Sequence, residues 1–390
     1  MDGITLDNEE THDQNIYQSA ILLVCTGILS FLAWHGDADL LAASLCLPAF
    51  WSLASNRLTA WLTALVYYLV AARDIPAGAD IYFGLGELYG WGLLISASLL
   101  LSLPFAVFWR KNPDSWRFLL ALLLVSIPPI GIVGWTNPLT AAGVIFPGLG
   151  WIGFFITLYL MAKIVRIPAL ALLVFLCSLI VPRADLQPPT GWTAIDTTFM
   201  RSPGITQFLD DARRQRDLIE RIKGVRSRVV ILPETIAGRW NDASMFLWDD
   251  IAYESAQRRQ TILFGAEIAD QTGYKNVAIR LSPEGGHPLY QQLMPVPISM
   301  WRPWATGGAT PAWFHQQSAK IDGLTASFLL CYEQLLLWPP LVAMSADPDV
   351  LIGLSNGWWA RDTDIPAIQI SALKAWASLF GTSLIYSVNK

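Results

Sequence analysis

Charge is scarce in this chain. Of its 390 residues, 15% are Asp, Glu, Lys or Arg and 53% are hydrophobic, and the mean hydropathy is +0.41. Such values lie outside soluble globular usage and among membrane proteins. The scarcity is uneven. Up to Pro182 the basic residues are Arg57, Arg73, Arg110, Lys111, Arg117, Lys163 and Arg166, whereas Lys and Arg become frequent from Arg183 onward. Cysteine is scarce too. Cys25, Cys46 and Cys177 lie in apolar runs, which leaves Cys331 without a disulfide partner in its part of the chain. There is no CxxC, and His12, His35, His287 and His315 are scattered without helical or hairpin spacing. No metal site is therefore expected, and no cofactor.

What the first half has instead is long apolar runs. Tyr17 to Trp34, Leu40 to Ala54, Leu58 to Ala72, Leu85 to Trp109, Phe118 to Trp135, Leu139 to Ala162 and Ile167 to Pro182 make seven candidate spans, judged against the roughly 17 to 25 residues a crossing helix needs. The second and third are short, and Pro104, Pro128, Pro129 and Pro147 predict kinks. Trp34, Trp109, Trp116 and Trp135 stand at run ends, where an amphipathic ring prefers the headgroup layer. Six of the seven basic residues fall in alternate loops, with Arg73 the exception. Because Lys and Arg are retained on the cytoplasmic side, those loops and the acidic N-terminus (Asp2, Asp7, Glu9, Glu10, Asp13) are expected inside, and everything after Pro182 outside. The first run has an acidic leader and no small-x-small site, so it is not read as a cleavable signal. The expected organisation is a cytoplasmic tail over 1–16, a transmembrane domain of about seven helices over 17–182 and an extracytoplasmic domain over 183–390.

Cys331 ends the apolar run Ala326-Ser-Phe-Leu-Leu330, and Glu234 ends another, Val229-Val-Ile-Leu-Pro233. Two strand ends can bring a thiol and an acid together, and the carboxylate can take the thiol proton as sulfur attacks a carbonyl. The plain alternative is a buried core cysteine beside an ordinary glutamate. His315 offers a second partner for the thiol, although a histidine among turn residues is more often solvated.

The second half alternates strand and helix signals. Trp192 to Phe199, Arg228 to Leu232 and Thr261 to Ala266 read as strands, with helices over Gln207 to Lys223 and Ala243 to Gln260 between them, a βαβαβ layout. Val277 to Leu281, Ser327 to Leu330, Val350 to Leu354 and Ser383 to Val388 are further strands, with a helix over Ile368 to Leu379. An α/β sandwich accommodates all of them. Three distinctive tripeptides sit at strand ends, where sites collect in such folds: Pro233-Glu234-Thr235, Cys331-Tyr332-Glu333 and Ser355-Asn356-Gly357.

The order ILPETIAG, FGAEI with YKNVAIRL, LLCYEQL, IGLSNGWWARDT and ISALKAWASLFGTSLIYSVN resembles the nitrilase (carbon-nitrogen hydrolase) superfamily. With membrane spans before it, the chain is most similar to the apolipoprotein N-acyltransferases. Ending soon after SLIYSVN, it further resembles a plasmid-borne, conjugal-transfer branch of that group. The resemblance implies a multispan α-helical membrane domain followed by an αββα nitrilase-like sandwich, in the bacterial inner membrane with the C-terminal domain in the periplasm. It implies Glu234 as general base, Cys331 as a thioester-forming nucleophile and Glu333 as a supporting acid, with Tyr332, Asn356 and Trp358 lining the site. The family's lysine does not carry over. In Leu289-Tyr-Gln-Gln-Leu-Met-Pro295 its place falls to Tyr290 or Gln291, and the acid that follows in the acyltransferases is absent. Lys275 opens YKNVAIRL and reads as structural or solvated.

Three functional readings follow. The first is cysteine-dependent acyl transfer or amide chemistry on a membrane lipid or acylated substrate. The second is a catalytically weak nitrilase-fold component of the cell envelope in conjugation, with conjugation-machinery proteins as partners. The third, a multispan transporter, is disfavoured by the poverty of intramembrane charge. No direct nucleic-acid binding is expected. The segment Leu293 to Phe314, rich in Trp, Met, Pro and Gly, is expected either to fold into the domain's own core or to form a mobile lid at the outer leaflet, with Trp301 and Trp304 admitting an acyl chain.

Overall fold

A computed structural model describes residues 3–200 and 207–390, with side chains from Ile16 to Met200 and from Ala212 onward. The acidic side chains from Asp2 to Asp13 lie outside the described residues. The chain folds as two compact units, Met1–Ala184 with Thr363–Phe380, and Asp185–Asp362 with Gly381–Lys390.

The first unit is helical. Its helices are α1 (Gly3–Ala33), α2 (Cys46–Leu53), α3 (Arg57–Ala71), α4 (Ile75–Phe83), α5 (Glu87–Phe108), α6 (Ser115–Ser126), α7 (Ala142–Ile145), α8 (Gly150–Arg166) and α9 (Leu170–Ser178). Ile16–Ala33 and Glu87–Phe108 are long and apolar enough to cross a membrane, and α3 with α4, bent by 51°, makes a third if the pair counts as one span. The other apolar runs are interrupted. Proline breaks two of them: α6 stops at Ser126 before Pro128-Pro129, and the run Leu139 to Ala162 divides at Phe146–Leu149 around Pro147, with a 3-10 turn, α7 and α8 in place of one helix. Leu40 to Ala54 begins as a 3-10 segment, Ala38–Leu45, before α2.

The same unit takes in a late helix, Ile365–Phe380. Small residues allow a close approach: a Cβ on Gly143 would lie 1.8 Å from the Ala375 carbonyl oxygen. Ser378 Oγ donates to Gly143 O at 2.7 Å and Ser371 Oγ to Gly36 O, and Arg73 pairs with Asp364 at the helix start.

The second unit is α/β. The strands are β1 (Trp192–Ala194), β2 (Val229–Ile231), β3 (Thr261–Ala269), β4 (Tyr274–Ser282), β5 (Gly285–Gln291), β6 (Ala319–Ile321), β7 (Leu324–Leu330), β8 (Val350–Asn356) and β9 (Ser383–Asn389). They form a five-stranded sheet in the order β1-β2-β3-β4-β5 and a four-stranded sheet in the order β6-β7-β8-β9. The predicted βαβαβ unit is present, with β1, β2 and β3 parallel and joined through helices Gln207–Lys223 and Asp242–Gln257. These helices pack Leu218, Ile222, Trp248 and Ile251 against Val230, Ile262, Phe264 and Ile279 of the first sheet. The alternate residues Val229, Ile231, Leu263 and Ala278 are also fully buried, as a sheet covered on both faces requires. β7, β8 and β9 are likewise parallel, so β2, β7 and β8 each end in a loop that carries one of the three tripeptides.

Candidate active site

The nucleophile candidate is held by backbone geometry. Leu330 ends β7, and Cys331 follows with φ +42°, opening the 3-10 turn Cys331–Leu335. A positive φ at a non-glycine residue is strained, and such strain persists only where the surroundings enforce it. The other tripeptide has the same feature: Thr235, after Glu234, sits at φ +51°. Glu234 reaches its position because Gly265 of β3 leaves room. A Cβ there would stand 2.4 Å from Glu234 Cα, and Gly265 N instead donates to Pro233 O at 3.0 Å.

The thiol and the acid meet. The Cys331 side chain hydrogen-bonds the Glu234 carboxylate, which also accepts from the Asn356 backbone and, at 2.7 Å, from Asn276 Nδ2. Glu234 is 3% exposed and Cys331 8%. Burial pushes the Glu234 carboxyl up to about 7, against the three hydrogen bonds that hold it down. A base poised near neutrality is matched to proton transfer at physiological pH. Asn356 serves twice, since its side chain also donates to Thr235 Oγ1 at 2.7 Å and accepts from Asn389 Nδ2 at 2.9 Å.

Glu333 is fully buried and accepts four hydrogen bonds: from Tyr290 Oη at 2.9 Å, Leu330 N at 2.7 Å, Leu293 N at 2.5 Å and Met294 N at 3.2 Å. Desolvation pushes its carboxyl up to about 8, opposed by those bonds. All four partners donate, so they hold the carboxyl below the value that burial alone would give it. Its lone pairs are spent tying the Cys331 turn to the chain after β5, which makes Glu333 a clamp.

The two residues offered for the lysine position part company. Tyr290 is buried, stacks on Phe328 with ring centroids 5.7 Å apart and gives its hydroxyl proton to Glu333. Burial and the adjacent Glu333 push the Tyr290 hydroxyl well above its ordinary value, so it is a neutral donor. Gln291 turns elsewhere, donating Nε2 to Thr310 O at 2.8 Å. Lys275 precedes Asn276 on β4 and so projects from the opposite face of the sheet. Burial also raises the Tyr332 hydroxyl, and Trp358 opens a single 3-10 turn just beyond Asn356. His315 is exposed in its loop.

Two residues beside the pair were not foreseen from sequence: Asn276, which bonds Glu234, and Gln292, which bonds Asn276 and the Leu330 carbonyl. Both are almost wholly buried, and Asn276 Nδ2 donates to Gln292 Oε1 at 2.9 Å. Asn276 stands in β4 just before Val277-Ala-Ile, and Gln292 follows the end of β5. The segment Leu293 to Phe314 is folded on itself and on β4. Met300 N and Trp301 N donate to Val296 O, Ala309 N to Met300 O and Thr310 N to Tyr274 O. Trp301 is half-buried against Trp313, while Trp304 and Phe314 are 69% and 67% exposed.

The carbon-nitrogen hydrolase family profile matches residues 120–378. A probable conjugal transfer protein TraB of Sinorhizobium fredii is 35% identical over 95% of this chain and 98% of its own length. The conjugal transfer protein TraB of Agrobacterium fabrum is 32% identical over 96% of this chain and 93% of its own. Among solved structures, an amidase of the nitrilase superfamily from Nesterenkonia aligns with TM-score 0.38 and 15% identity, covering 54% of this chain and 79% of that one. On the profile match and the two near-full-length relatives, the chain belongs to the carbon-nitrogen hydrolase family.

Proposed function

We propose that this protein is a membrane-bound cysteine enzyme of the carbon-nitrogen hydrolase type that transfers an acyl group or works on an amide through a thioester at Cys331, in the service of conjugal plasmid transfer. The observation that carries this reading is the buried contact between the Cys331 thiol and a Glu234 carboxyl raised to about 7. As Sγ attacks a substrate carbonyl, Glu234 takes the thiol proton. The tetrahedral species then expels its amine or alcohol, which leaves with the proton returned by Glu234. An acceptor repeats the sequence in reverse order and regenerates the thiol. Glu333 fixes the nucleophile's turn, and Tyr332, Asn356 and Trp358 border the acyl site.

The setting belongs to the proposal as well. We place residues 17–182 across the bacterial inner membrane as a multi-pass domain, with the tail 1–16 in the cytoplasm and residues 183–390 facing the periplasm. The apolar helices and the six-to-one basic-loop asymmetry support it. The substrate is then a membrane lipid or an acylated molecule, reached past a lid over Leu293 to Phe314. The exposed Trp304 and half-buried Trp301 suit a headgroup boundary. Quenching of these tryptophans by bromolipids tests the lid, and an unquenched segment removes it.

Intact-mass measurement of the purified protein tests the chemistry. The expected result is an acyl adduct on Cys331, released by hydroxylamine, and absent from Cys331→Ser and Glu234→Gln. The second reading, a nitrilase-fold envelope component with conjugation proteins as partners, is favoured by the lack of a lysine at Tyr290 or Gln291. A cationic oxyanion donor is typically worth on the order of 100- to 1,000-fold in rate. Undiminished conjugation by Cys331→Ser would select that second reading.

A further inference from the structure

The hydrogen bonds around Glu234 close into a ring. Gln292 Nε2 donates to the Leu330 carbonyl at 3.3 Å, Asn276 Nδ2 donates to Gln292 Oε1 at 2.9 Å and to Glu234 Oε1 at 2.7 Å, and Glu234 meets the thiol of Cys331, which is covalently joined to Leu330. Gln292 N also donates to the Asn276 carbonyl at 2.9 Å. Every side chain in the ring is buried: Gln292 is 0% exposed, Asn276 1%, Glu234 3% and Cys331 8%. The polarity is fixed throughout. Asn276 faces two acceptors, so its amide must present nitrogen to them, and Gln292 must present its own nitrogen to a carbonyl.

We infer that Asn276 and Gln292 are positioning residues that replace the family's lysine with a relay of two neutral amides, holding Glu234 against Cys331 without a cation. The inference rests on the Cys331–Glu234 pair proposed above. Tyr290 and Gln291, the two candidates for the lysine's place, bond Glu333 and the Thr310 carbonyl, and neither side chain enters the ring.

A neutral relay has a consequence that an ammonium would not. With no positive charge in the ring, the Glu234 carboxyl is the group placed to take the thiol proton. The groups that face Glu234 are Cys331 from the end of β7, Asn276 from β4, Asn356 from the end of β8 and the charge of Glu267 on β3, which itself pairs with Arg239 at 3.9 Å. Removing the Asn276 donor takes away a bond that favours the carboxylate, so the pair should lose its proton at higher pH.

The test is the pH profile of Cys331 alkylation by iodoacetamide, read on the Cys331 peptide by mass spectrometry in the full-length protein in detergent. The wild type is expected to show a step near neutral pH. Asn276→Leu should move the midpoint upward by about one pH unit, a tenfold slower alkylation on the acid side, with an unchanged thermal midpoint. Lys275→Met, on the opposite face of β4, should leave the alkylation midpoint in place. If Asn276→Leu does not hold its fold, Gln292→Met carries the test, because it cuts the ring one bond farther from Glu234 and should shift the midpoint in the same direction. An unshifted midpoint in a folded ring variant, or an equal shift in Lys275→Met, overturns the relay. Glu234→Gln separates the two levels. If it keeps the wild-type profile, the proposed base itself is wrong, whereas loss of the step in Glu234→Gln alone condemns the ring and spares the base.

Discussion

Glu234 and Glu333 are both buried carboxyls, and desolvation raises both, to about 7 and about 8, although Glu333 meets four donors and Glu234 one amide, one backbone N–H and a thiol. A carboxyl raised from 4.5 to about 7 on folding makes the folded state bind a proton that the unfolded chain has released. Stability from this group is therefore fully present below pH 4.5 and falls as pH rises through 7. Above pH 7 the deficit is about 3 kcal/mol at most, since one pKa unit corresponds to about 1.4 kcal/mol. Glu234→Gln should accordingly be more resistant to urea than the wild type at pH 8, with the advantage gone at pH 4, while it forms no thioester. A functional residue that costs stability is the expected sign of an active site. Equal urea midpoints at pH 8 would mean that Glu234 is not held in a desolvated site. At this scale Cys331 and Glu234 were legible because each ends a run of apolar strand residues. Asn276 and Gln292 were not, because an uncharged amide, within a strand at 276 or just past one at 292, gives no outward sign of the partner it faces.

Among the elements, the strand ends decide the site. β3 must pass so close to the Pro233-Glu234-Thr235 turn that nothing larger than hydrogen fits at Gly265. Gly265→Ala cannot be absorbed by a flexible side chain, because the atoms it meets are Glu234 Cα and Thr235 N at 2.4 and 2.5 Å. Backbone displacement of this kind typically costs about 1–3 kcal/mol, and misplacement of a reacting group by an ångström costs on the order of 100-fold in rate. The variant should keep the fold by circular dichroism yet lose nearly all Cys331 acylation, and wild-type acylation would show that Glu234 is not set by this contact. The βαβαβ unit was readable from apolar runs alternating with charged amphipathic ones. β5 was not, since Gly285, Gly286 and Pro288 look like a loop, and an edge strand is where such residues are tolerated. β6 spans three residues and left too short a pattern. Apolar runs mark where a chain avoids water, but Pro128-Pro129 and Pro147 decide where its helices stop.

For the whole molecule, composition spoke more clearly than any motif: two halves of the sequence carry charge so differently that they imply two solvents. The helix Ile365–Phe380 complicates a division at residue 183, because it belongs to the helical unit although its sequence follows β8. Its apolar faces resemble those of a sandwich helix, and no periodicity distinguishes the two destinations. What charge does predict is direction. Six of the seven basic residues before Pro182 fall in alternate loops of the predicted spans, and the proposed topology puts those loops in the cytoplasm because Lys and Arg are costly to carry across a membrane. Arg73, the exception, is engaged by Asp364, by the Trp34 carbonyl at 3.0 Å and by the ring of Phe31 at 4.3 Å, so its charge is neutralised locally and weighs little in the count. A periplasm-active phosphatase fused after Arg183 should therefore be active, and the same reporter fused near Asn112, between Arg110 and Arg117, should be silent. Activity at Asn112 with silence at Arg183 would reverse the orientation, place Cys331 in the cytoplasm and remove the periplasmic acyl-transfer proposal with it.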